Sequence, residues 1–310
     1  MIKHLSIFVL VLCVYASMAF GQDTTATLTT PPNTDSTEEK KAIFTYALIP
    51  TFGATFQNIS KSDEETLTVQ WLASLQGRMN WEGRVFGLTS SLFMQYGQLH
   101  TEHEEPVKTQ DNLIFSLTPS MYVLPSLGFR LFLENTAETQ MKQGYMDTVV
   151  TRFADPLFLY HALFFGQKLS NTAEDGTGEI SLTYGLGYAL QQTYTQDFQT
   201  VETREQLKRD PSSPISNVDI QLGISGIVDF AARKQIGDLF QLNASVKTVI
   251  LGKEDTYKDI TKARVGSLAL ASISYGVFNL EYTMRLLYDS NFSVRRQIDQ
   301  SLVAGVRVEL

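Results

Sequence analysis

The chain alternates large apolar residues with small or polar ones over many short segments. Residues 180 to 190 show this most clearly, because Ile, Leu or Tyr occupies every even position and Ser, Thr, Gly or Ala every odd position. A β-strand places the two sets on opposite faces, since successive side chains point to opposite sides. The segment therefore predicts a strand with one apolar wall, which includes Tyr184 and Tyr188, and one wall of small residues, which includes Gly185 and Gly187.

The same period of two recurs along the chain after residue 43. With two less regular segments, 154 to 168 and 265 to 275, it predicts about twelve strands. The first segment is apolar on both faces, and the second changes phase near Ala271, which predicts a β-bulge. Residues on the apolar faces of the regular strands include Phe52, Leu75, Leu92, Phe115, Leu133, Ile224, Ile250, Leu280 and Leu302.

The opposite faces of these strands carry polar residues and charges of both signs. For any single strand, such a face is equally typical of the solvated side of a secreted soluble β-sandwich and of the lumen of a transmembrane barrel. In a barrel these residues would line the pore. The charged candidates are Arg78, Arg130, Glu134, Asp219, Asp229, Lys247, Glu281, Arg285, Arg307 and Glu309.

The lengths of the connections favour the barrel. The short ones lie near residues 81–84, 124–126, 169–178, 231–238 and 275–277, and the mostly longer, charged ones at 58–65, 98–111, 135–153, 194–216, 251–263 and 289–300. The two sets alternate, as the periplasmic turns and external loops of a barrel do, whereas a sandwich has no reason to sort its loops. The sequence predicts an all-β fold, a closed antiparallel up-and-down transmembrane barrel over 42–310, with both termini in the periplasm.

The N-terminus predicts export. Lys3 and His4 precede an uncharged run that ends at Ala19-Phe20-Gly21, as in a signal peptide spanning residues 1–21. Residues 22–41 are rich in Thr, Pro and charge and predict a flexible periplasmic leader. The only cysteine, Cys13, lies in the signal segment. The mature chain therefore has no thiol for a disulfide, a metal site or a nucleophile.

Composition narrows the classes of function. The formal charge of −8 becomes −9 once the signal segment and its single Lys3 are removed, which argues against a nucleic-acid partner. Downstream of the signal no uncharged run is long enough for a membrane-spanning helix. Barrel strands escape such a test because only alternate residues face lipid, so the mean hydropathy of −0.07 agrees with a barrel.

Short motifs in a fixed order also suggest a family. They are Asn80-Trp81-Glu82, Gln95-Tyr96-Gly97, Thr139-Gln140, Gly144-Tyr145, residues 153–156, Tyr288-Asp289 and residues 297–310. From Trp81 onward the chain resembles a family of uncharacterised outer-membrane β-barrel proteins of Bacteroidota and related bacteria. It departs from that family at Trp71, which is followed by Leu-Ala-Ser-Leu where a glycine pair is usual. The resemblance implies an outer-membrane location and a barrel fold, and it implies no activity.

Two histidine sites offer candidate chemistry. His100 and His103 lie in the acidic stretch HTEHEEP, which could bind a divalent cation but is more typical of a solvated loop, so we predict no metal site and no cofactor. His161 could serve an outer-membrane hydrolase of lipids or peptides, although its apolar neighbours indicate plain packing. We find no GxSxG, HExxH or phosphate-loop motif, and we predict no catalytic residue.

The sequence thus favours a non-enzymatic outer-membrane barrel, either a narrow channel for small solutes or a structural component. Its expected partners are outer-membrane lipid, lipopolysaccharide and the barrel assembly machinery. The pairs Arg130 with Glu134, Glu281 with Arg285, and Arg307 with Glu309 are spaced to line one face, as selectivity residues or as a salt-bridged plug. Gly185 and Gly187 are expected to leave room in the lumen.

Overall fold

Twelve antiparallel strands of 11 to 19 residues form the wall of a closed barrel. The first six are β1 (Ile43–Lys61), β2 (Glu64–Glu82), β3 (Phe86–Thr101), β4 (Val107–Leu124), β5 (Phe129–Thr139) and β8 (Leu157–Thr172). The others are β9 (Gly178–Tyr194), β10 (Val218–Ile236), β11 (Phe240–Lys253), β12 (Arg264–Tyr275), β13 (Phe278–Tyr288) and β14 (Gln297–Arg307). A hairpin of β6 (Gly144–Met146) and β7 (Val149–Thr151) lies outside the wall, as does the helix α1 (Val201–Arg209).

The computed structural model describes residues 43–61, 64–102, 104–146, 149–173, 175–196, 201–212, 217–253, 256, 259, 262–289 and 297–307. The predicted signal segment and leader lie outside these residues, and so do Glu309 and His103. No helix in the described part is long and apolar enough to cross a membrane.

Each strand pairs with the next barrel strand in the chain, and β14 closes the ring against β1, with Phe52 opposite Val306. The up-and-down barrel predicted from the loop pattern is therefore confirmed, and the soluble-sandwich alternative is wrong. The β1–β14 pairing over residues 51–53 completes the ring of strands, so at this level the backbone groups of both strands are paired on each side.

The outer wall is apolar, as the period of two predicts. On β9, Leu186 is 71% exposed and Tyr188 is 59% exposed, whereas Ala189, on the opposite face of the same strand, is buried. Exposed apolar residues on the other strands include Phe52, Phe115, Leu133, Leu163, Ile220, Ile224, Phe278, Leu280 and Leu302. A continuous apolar exterior around a polar interior is the polarity of a barrel that faces lipid.

The connections differ in length at the two ends of the barrel. At one end, the turn end, five connections of two to five residues join the strands, and glycines 128, 176, 237 and 276 adopt positive φ angles of 56° to 70° there. Asp175 accepts hydrogen bonds from the Thr177 N–H and hydroxyl, and these bonds hold the pKa of Asp175 below its usual value. The opposite end, the loop end, carries the hairpin β6–β7 and α1.

The predicted layout is wrong at two connections and at one bulge. Residues 231–236 of the predicted connection 231–238 belong to β10. The predicted loop at 58–65 is mostly strand, because β1 and β2 continue as a two-stranded ladder up to the pair Lys61 and Glu64. The predicted bulge near Ala271 is absent, since β12 pairs with both neighbours without a register shift. The pattern only looks shifted, because Leu268 and Leu270 of β12 face the lumen while small residues face outward.

Candidate functional site

Charged side chains on β5 point into the lumen at three successive levels. Arg130, Glu134 and Glu138 are four residues apart, so they share one face and lie about 13 Å from one another along the strand. Arg130 is nearest the turn end and Glu138 nearest the loop end. Each of the three forms a different set of polar contacts at its own level, and we call each such set a layer of the lumen.

The middle layer joins β5 to β11 across the lumen. Glu134 is 2% exposed, and its carboxylate forms an ion pair with the Lys247 ammonium. It also accepts hydrogen bonds from the hydroxyls of Thr118 at 2.6 Å and Thr136 at 2.9 Å. Three strands separate β5 from β11 along the shorter path around the wall, so this ion pair is a chord through the interior.

The next layer spans the full width of the barrel. Arg285 on β13 forms an ion pair with Glu138 on β5, and five strands separate these two strands in either direction. The guanidinium also donates a hydrogen bond to Asn112 at 3.2 Å and lies 3.5 Å from an Asp299 carboxylate oxygen. A guanidinium with its donors in a fixed plane can hold such partners at once.

Beyond the level of Glu138, a further layer lies at the loop end around Asp289. Its carboxylate oxygens lie 2.7 Å from the Lys253 ammonium and 3.5 Å from the Arg264 guanidinium. Gln191 donates to the same carboxylate at 3.4 Å, and all four residues are buried. Two cations thus share one buried carboxylate, which compensates part of their charge in the loop-side part of the lumen.

Aromatic side chains fill much of the remaining lumen beside β5, β8 and β9. Phe132 and Phe164 pack with ring centroids 5.5 Å apart, and the buried Tyr160 hydroxyl lies 2.6 Å from the Ser225 hydroxyl. These residues form a cluster with Ala162, Ala189, Ile227 and Leu251. The double-sided apolar pattern of 154–168 therefore reflects a strand that is apolar toward lipid and toward this inner cluster.

This cluster corrects the prediction that glycines of β9 leave room in the lumen. A Cβ at Gly185 would lie 2.8 Å from the Phe132 ring, and one at Gly187 would lie 1.9 Å from the Leu163 carbonyl oxygen. Both glycines are required by close contact with neighbouring strands and the inner aromatic residues. They are not a place at which a side chain can be enlarged without disturbing the wall.

A cavity of about 620 Å³ runs along the lumen, from Arg78 near the turn end to Arg264 near the loop end. Glu134, Lys247, Glu138 and Arg285 line its middle part. Three exposed charged residues line it toward the turn end, which means that it opens to solvent there; they are Arg78, Glu179 and Arg233. The lumen thus holds a vestibule that is open at the turn end and is crossed by the Glu134–Lys247 and Glu138–Arg285 ion pairs.

Most of the predicted pore-lining residues face this lumen, but their partners differ from the predicted ones. Those that line the vestibule are Arg78, Arg130, Glu134, Asp229, Lys247, Glu281 and Arg285. Asp219 lies nearer the loop end and accepts a hydrogen bond from Gln221. Arg307 ends β14, its side chain is outside the described set, and Glu309 lies outside the described residues.

The spacing along one strand did not identify the pairs. Arg130 pairs with Glu82 at 3.1 Å, not with Glu134. Arg285 pairs with Glu138 and Asp299, whereas Glu281 accepts a hydrogen bond from Ser74 at 3.4 Å. In a barrel, four residues along a strand span about 13 Å, so the nearest opposite charge is on another strand.

The histidine sites show packing and local hydrogen bonds. His161 faces the lipid side of β8, where its Nδ1 lies 2.9 Å from the Asn135 side-chain oxygen. Its ladder neighbours are Asn135 and Leu190, and neither offers a hydroxyl nucleophile. His100 contacts Gln98 at 3.3 Å. Within the described residues, no group of three or more His, Cys, Asp or Glu side chains is arranged to hold a metal ion.

Sequence reasoning missed several residues of the lumen. Glu82, Glu138, Lys168 and Arg264 lie at strand ends or in segments without clean alternation, and Tyr160 lies in the segment with two apolar faces. Alternation along the strand could have placed two of them in the lumen. Glu138 lies on the same face of β5 as Glu134, and Lys168 lies on the same face of β8 as Tyr160.

Comparisons with known proteins return only distant structural similarity. The chain is similar to an outer membrane channel from Pseudomonas putida, with 6% identity and a TM-score of 0.36 over 89% of this chain and 99% of that one. It is also similar to the beta domain of the Bordetella autotransporter Brka, with 13% identity and a TM-score of 0.32 over 84% and 97%. The translocator domain of the Neisseria meningitidis autotransporter NalP gives 10% identity and a TM-score of 0.32 over 87% and 89%. No family model and no curated protein matches the chain.

Proposed function

We propose that this chain is an outer-membrane β-barrel protein of a Gram-negative bacterium, with its turn end and both termini in the periplasm. The apolar outer wall, the polar lumen and the predicted export segment support this location. Short turns at one end and long charged connections at the other are the arrangement of bacterial outer-membrane barrels, whose turns are periplasmic. In this setting the surrounding partners are outer-membrane lipid, lipopolysaccharide and the assembly machinery that inserts such barrels.

Within that membrane, we propose that the protein is a narrow, non-enzymatic channel for small solutes, seen in a closed state. The observation that carries the proposal is the vestibule of about 620 Å³, which has charged walls and is crossed by ion pairs between side chains. Side-chain pairs can rearrange without unfolding the wall, whereas a lumen filled throughout by apolar packing could not conduct.

A structural outer-membrane component is the second candidate function. The aromatic cluster around Phe132 and Phe164 supports it, because this cluster fills part of the lumen with tight packing. Such a protein would stabilise the membrane or an assembly through its outer wall and loops, and its lumen would stay closed.

Planar bilayers separate the two candidates. Purified full-length protein, with its folded state checked by heat-modifiable migration in electrophoresis, is added to a bilayer under applied voltage. The channel predicts a closed baseline interrupted by discrete conductance steps. A silent bilayer with correctly folded protein would exclude the channel and leave the structural function.

Cell fractionation tests the location independently of conduction. We expect the chain in the detergent-solubilised outer membrane, with a migration that changes on heating, as for closed barrels. Recovery in the soluble periplasmic fraction would contradict the proposed location.

A further inference from the structure

Two cations share one carboxylate near the turn end of the vestibule, and a third cation lies on the same strand as this carboxylate. Glu82 lies 3.1 Å from the Arg130 guanidinium and 3.6 Å from the Lys168 ammonium, and it accepts a hydrogen bond from the Tyr122 hydroxyl at 3.0 Å. Arg78 lies on the same face of β2 as Glu82, four residues away. Arg130 and Lys168 thus share the Glu82 carboxylate, and with Arg78 on the same wall the cations outnumber it.

Each of the three cations can still donate hydrogen bonds to a ligand. Arg78 is exposed and lines the vestibule, and among the described residues it forms no ion pair with a carboxylate. Arg130 is only 6% exposed, yet its Nε–H has no hydrogen-bond partner. Lys168 reaches Glu82 only at 3.6 Å, which is long for a charge-assisted hydrogen bond.

The strands hold these groups in place. Arg130 on β5 lies opposite Gly166 on β8, and Lys168 is two residues further along β8. The Arg130 guanidinium lies 4.3 Å from the Tyr122 ring centroid and donates a hydrogen bond to the Tyr122 hydroxyl at 2.6 Å. Because wall strands and an aromatic ring fix the guanidinium, little conformational entropy is lost when it binds a ligand.

The vestibule as a whole also has an excess of positive charge, and the cluster supplies it, because without Arg78, Arg130 and Lys168 the wall carries four cations and five carboxylates. Seven Arg and Lys residues and five carboxylates line it, although the whole chain carries a formal charge of −8. A positively charged cavity in an acidic protein concentrates small anions at its mouth.

We infer that Arg78, Arg130 and Lys168 form a binding site for a small oxyanion that enters from the turn end, such as a phosphate group. Guanidinium and ammonium groups bind phosphate through charge-assisted hydrogen bonds, and the Arg fork matches two of its oxygens. This inference rests on the proposed function in one respect: if the protein is a channel, the site indicates which class of solute it carries. Phosphate binding itself does not require conduction.

Calorimetric titration of the full-length protein in detergent with inorganic phosphate tests the site, at constant ionic strength set by a chloride salt. We expect saturable binding to the unsubstituted protein. Arg78→Gln should weaken it about tenfold, because one charge-assisted contact is lost while no ion pair of the wall is broken. Lys168→Gln should weaken it similarly, since Glu82 keeps its bonds to Arg130 and Tyr122.

Lys208→Gln is the matched control, because Lys208 is an exposed cation of α1 that pairs with Glu205 and does not line the vestibule. Its phosphate affinity should equal that of the unsubstituted protein. Absence of saturable binding, or equal affinity in Arg78→Gln, Lys168→Gln and Lys208→Gln, would overturn the site. Phosphate binding by a protein that is silent in planar bilayers would reject the channel and keep the site.

Discussion

Arg285 on β13 pairs with Glu138 on β5 across the full width of the barrel. Five strands separate them in either direction, and both side chains are 16% exposed. With the Glu134–Lys247 pair one level closer to the turn end, this contact crosses the cavity that runs along the lumen. The interior of the barrel is therefore closed by side chains that come from the wall itself.

The Glu138–Arg285 pair should be energetically coupled. Glu138→Gln should lower the free energy of unfolding by about 2 kcal/mol, because Arg285 keeps its contacts to Asn112 and Asp299. Arg285→Gln should cost about 3 kcal/mol, since it leaves Glu138 without its cation. The double variant should cost less than the sum of the two by about 1 kcal/mol or more. Urea unfolding in detergent measures all three values, and strict additivity would mean that the pair makes no energetic contribution.

Gly187→Ala should destabilise the wall, because its Cβ would lie 1.9 Å from the Leu163 carbonyl oxygen. We expect a loss of roughly 3 kcal/mol or a failure to fold, measured as the fraction with heat-modifiable migration. Gly266→Ala is the matched control, since Gly266 lines the vestibule and a Cβ there meets nothing within 4 Å. Its stability should change by less than about 1 kcal/mol, and equal effects of the two variants would refute the close packing at Gly187.

His161→Ala should leave lipid and peptide turnover unchanged. His161 contacts Asn135 on the lipid side, and its ladder neighbours offer no hydroxyl for a Ser-His arrangement. Loss of one hydrogen bond should lower the free energy of unfolding by about 1 kcal/mol. A measurable hydrolase activity of the purified protein that His161→Ala abolishes would contradict the non-enzymatic proposal.

Trypsin should cut α1 in intact cells. Lys208 and Arg209 are exposed on this helix at the loop end, which the proposed orientation places outside the cell. Arg84, which is exposed in the turn between β2 and β3, should be cut only after the outer membrane is permeabilised. Cleavage products identified by mass spectrometry distinguish the two sites, and the opposite order of cleavage would invert the orientation.

The outer wall of the barrel could be predicted from the sequence because each residue's contact with lipid depends only on its parity. Leu186 and Tyr188 on β9 are examples, since both face outward as the period of two requires. The parity also placed Glu134 and Lys247 on the inner face. The alternation of short and long connections then predicted the closed up-and-down topology.

Contacts across the lumen could not be predicted in the same way. Whether Glu134 meets Lys247 or Arg130 depends on strand tilt and register summed over several strands, and small changes in either alter the distance across the interior. β12 also misled the pattern, because Leu268 and Leu270 face the lumen while Ala269 and Ala271 face outward. Hydrophobicity there reports packing inside the barrel as well as contact with lipid.

The most direct test of the closed lumen is single-channel recording of Lys247→Ala/Arg285→Ala in planar bilayers, beside the unsubstituted protein and Lys208→Ala. The double substitution removes the long side chains of both lumen-crossing pairs, while Lys208 lies outside the barrel on α1. We predict frequent or sustained conductance steps from the double variant and a mostly closed baseline with brief steps from the other two proteins. A double variant that migrates as a folded barrel and conducts no more than Lys208→Ala would contradict the account.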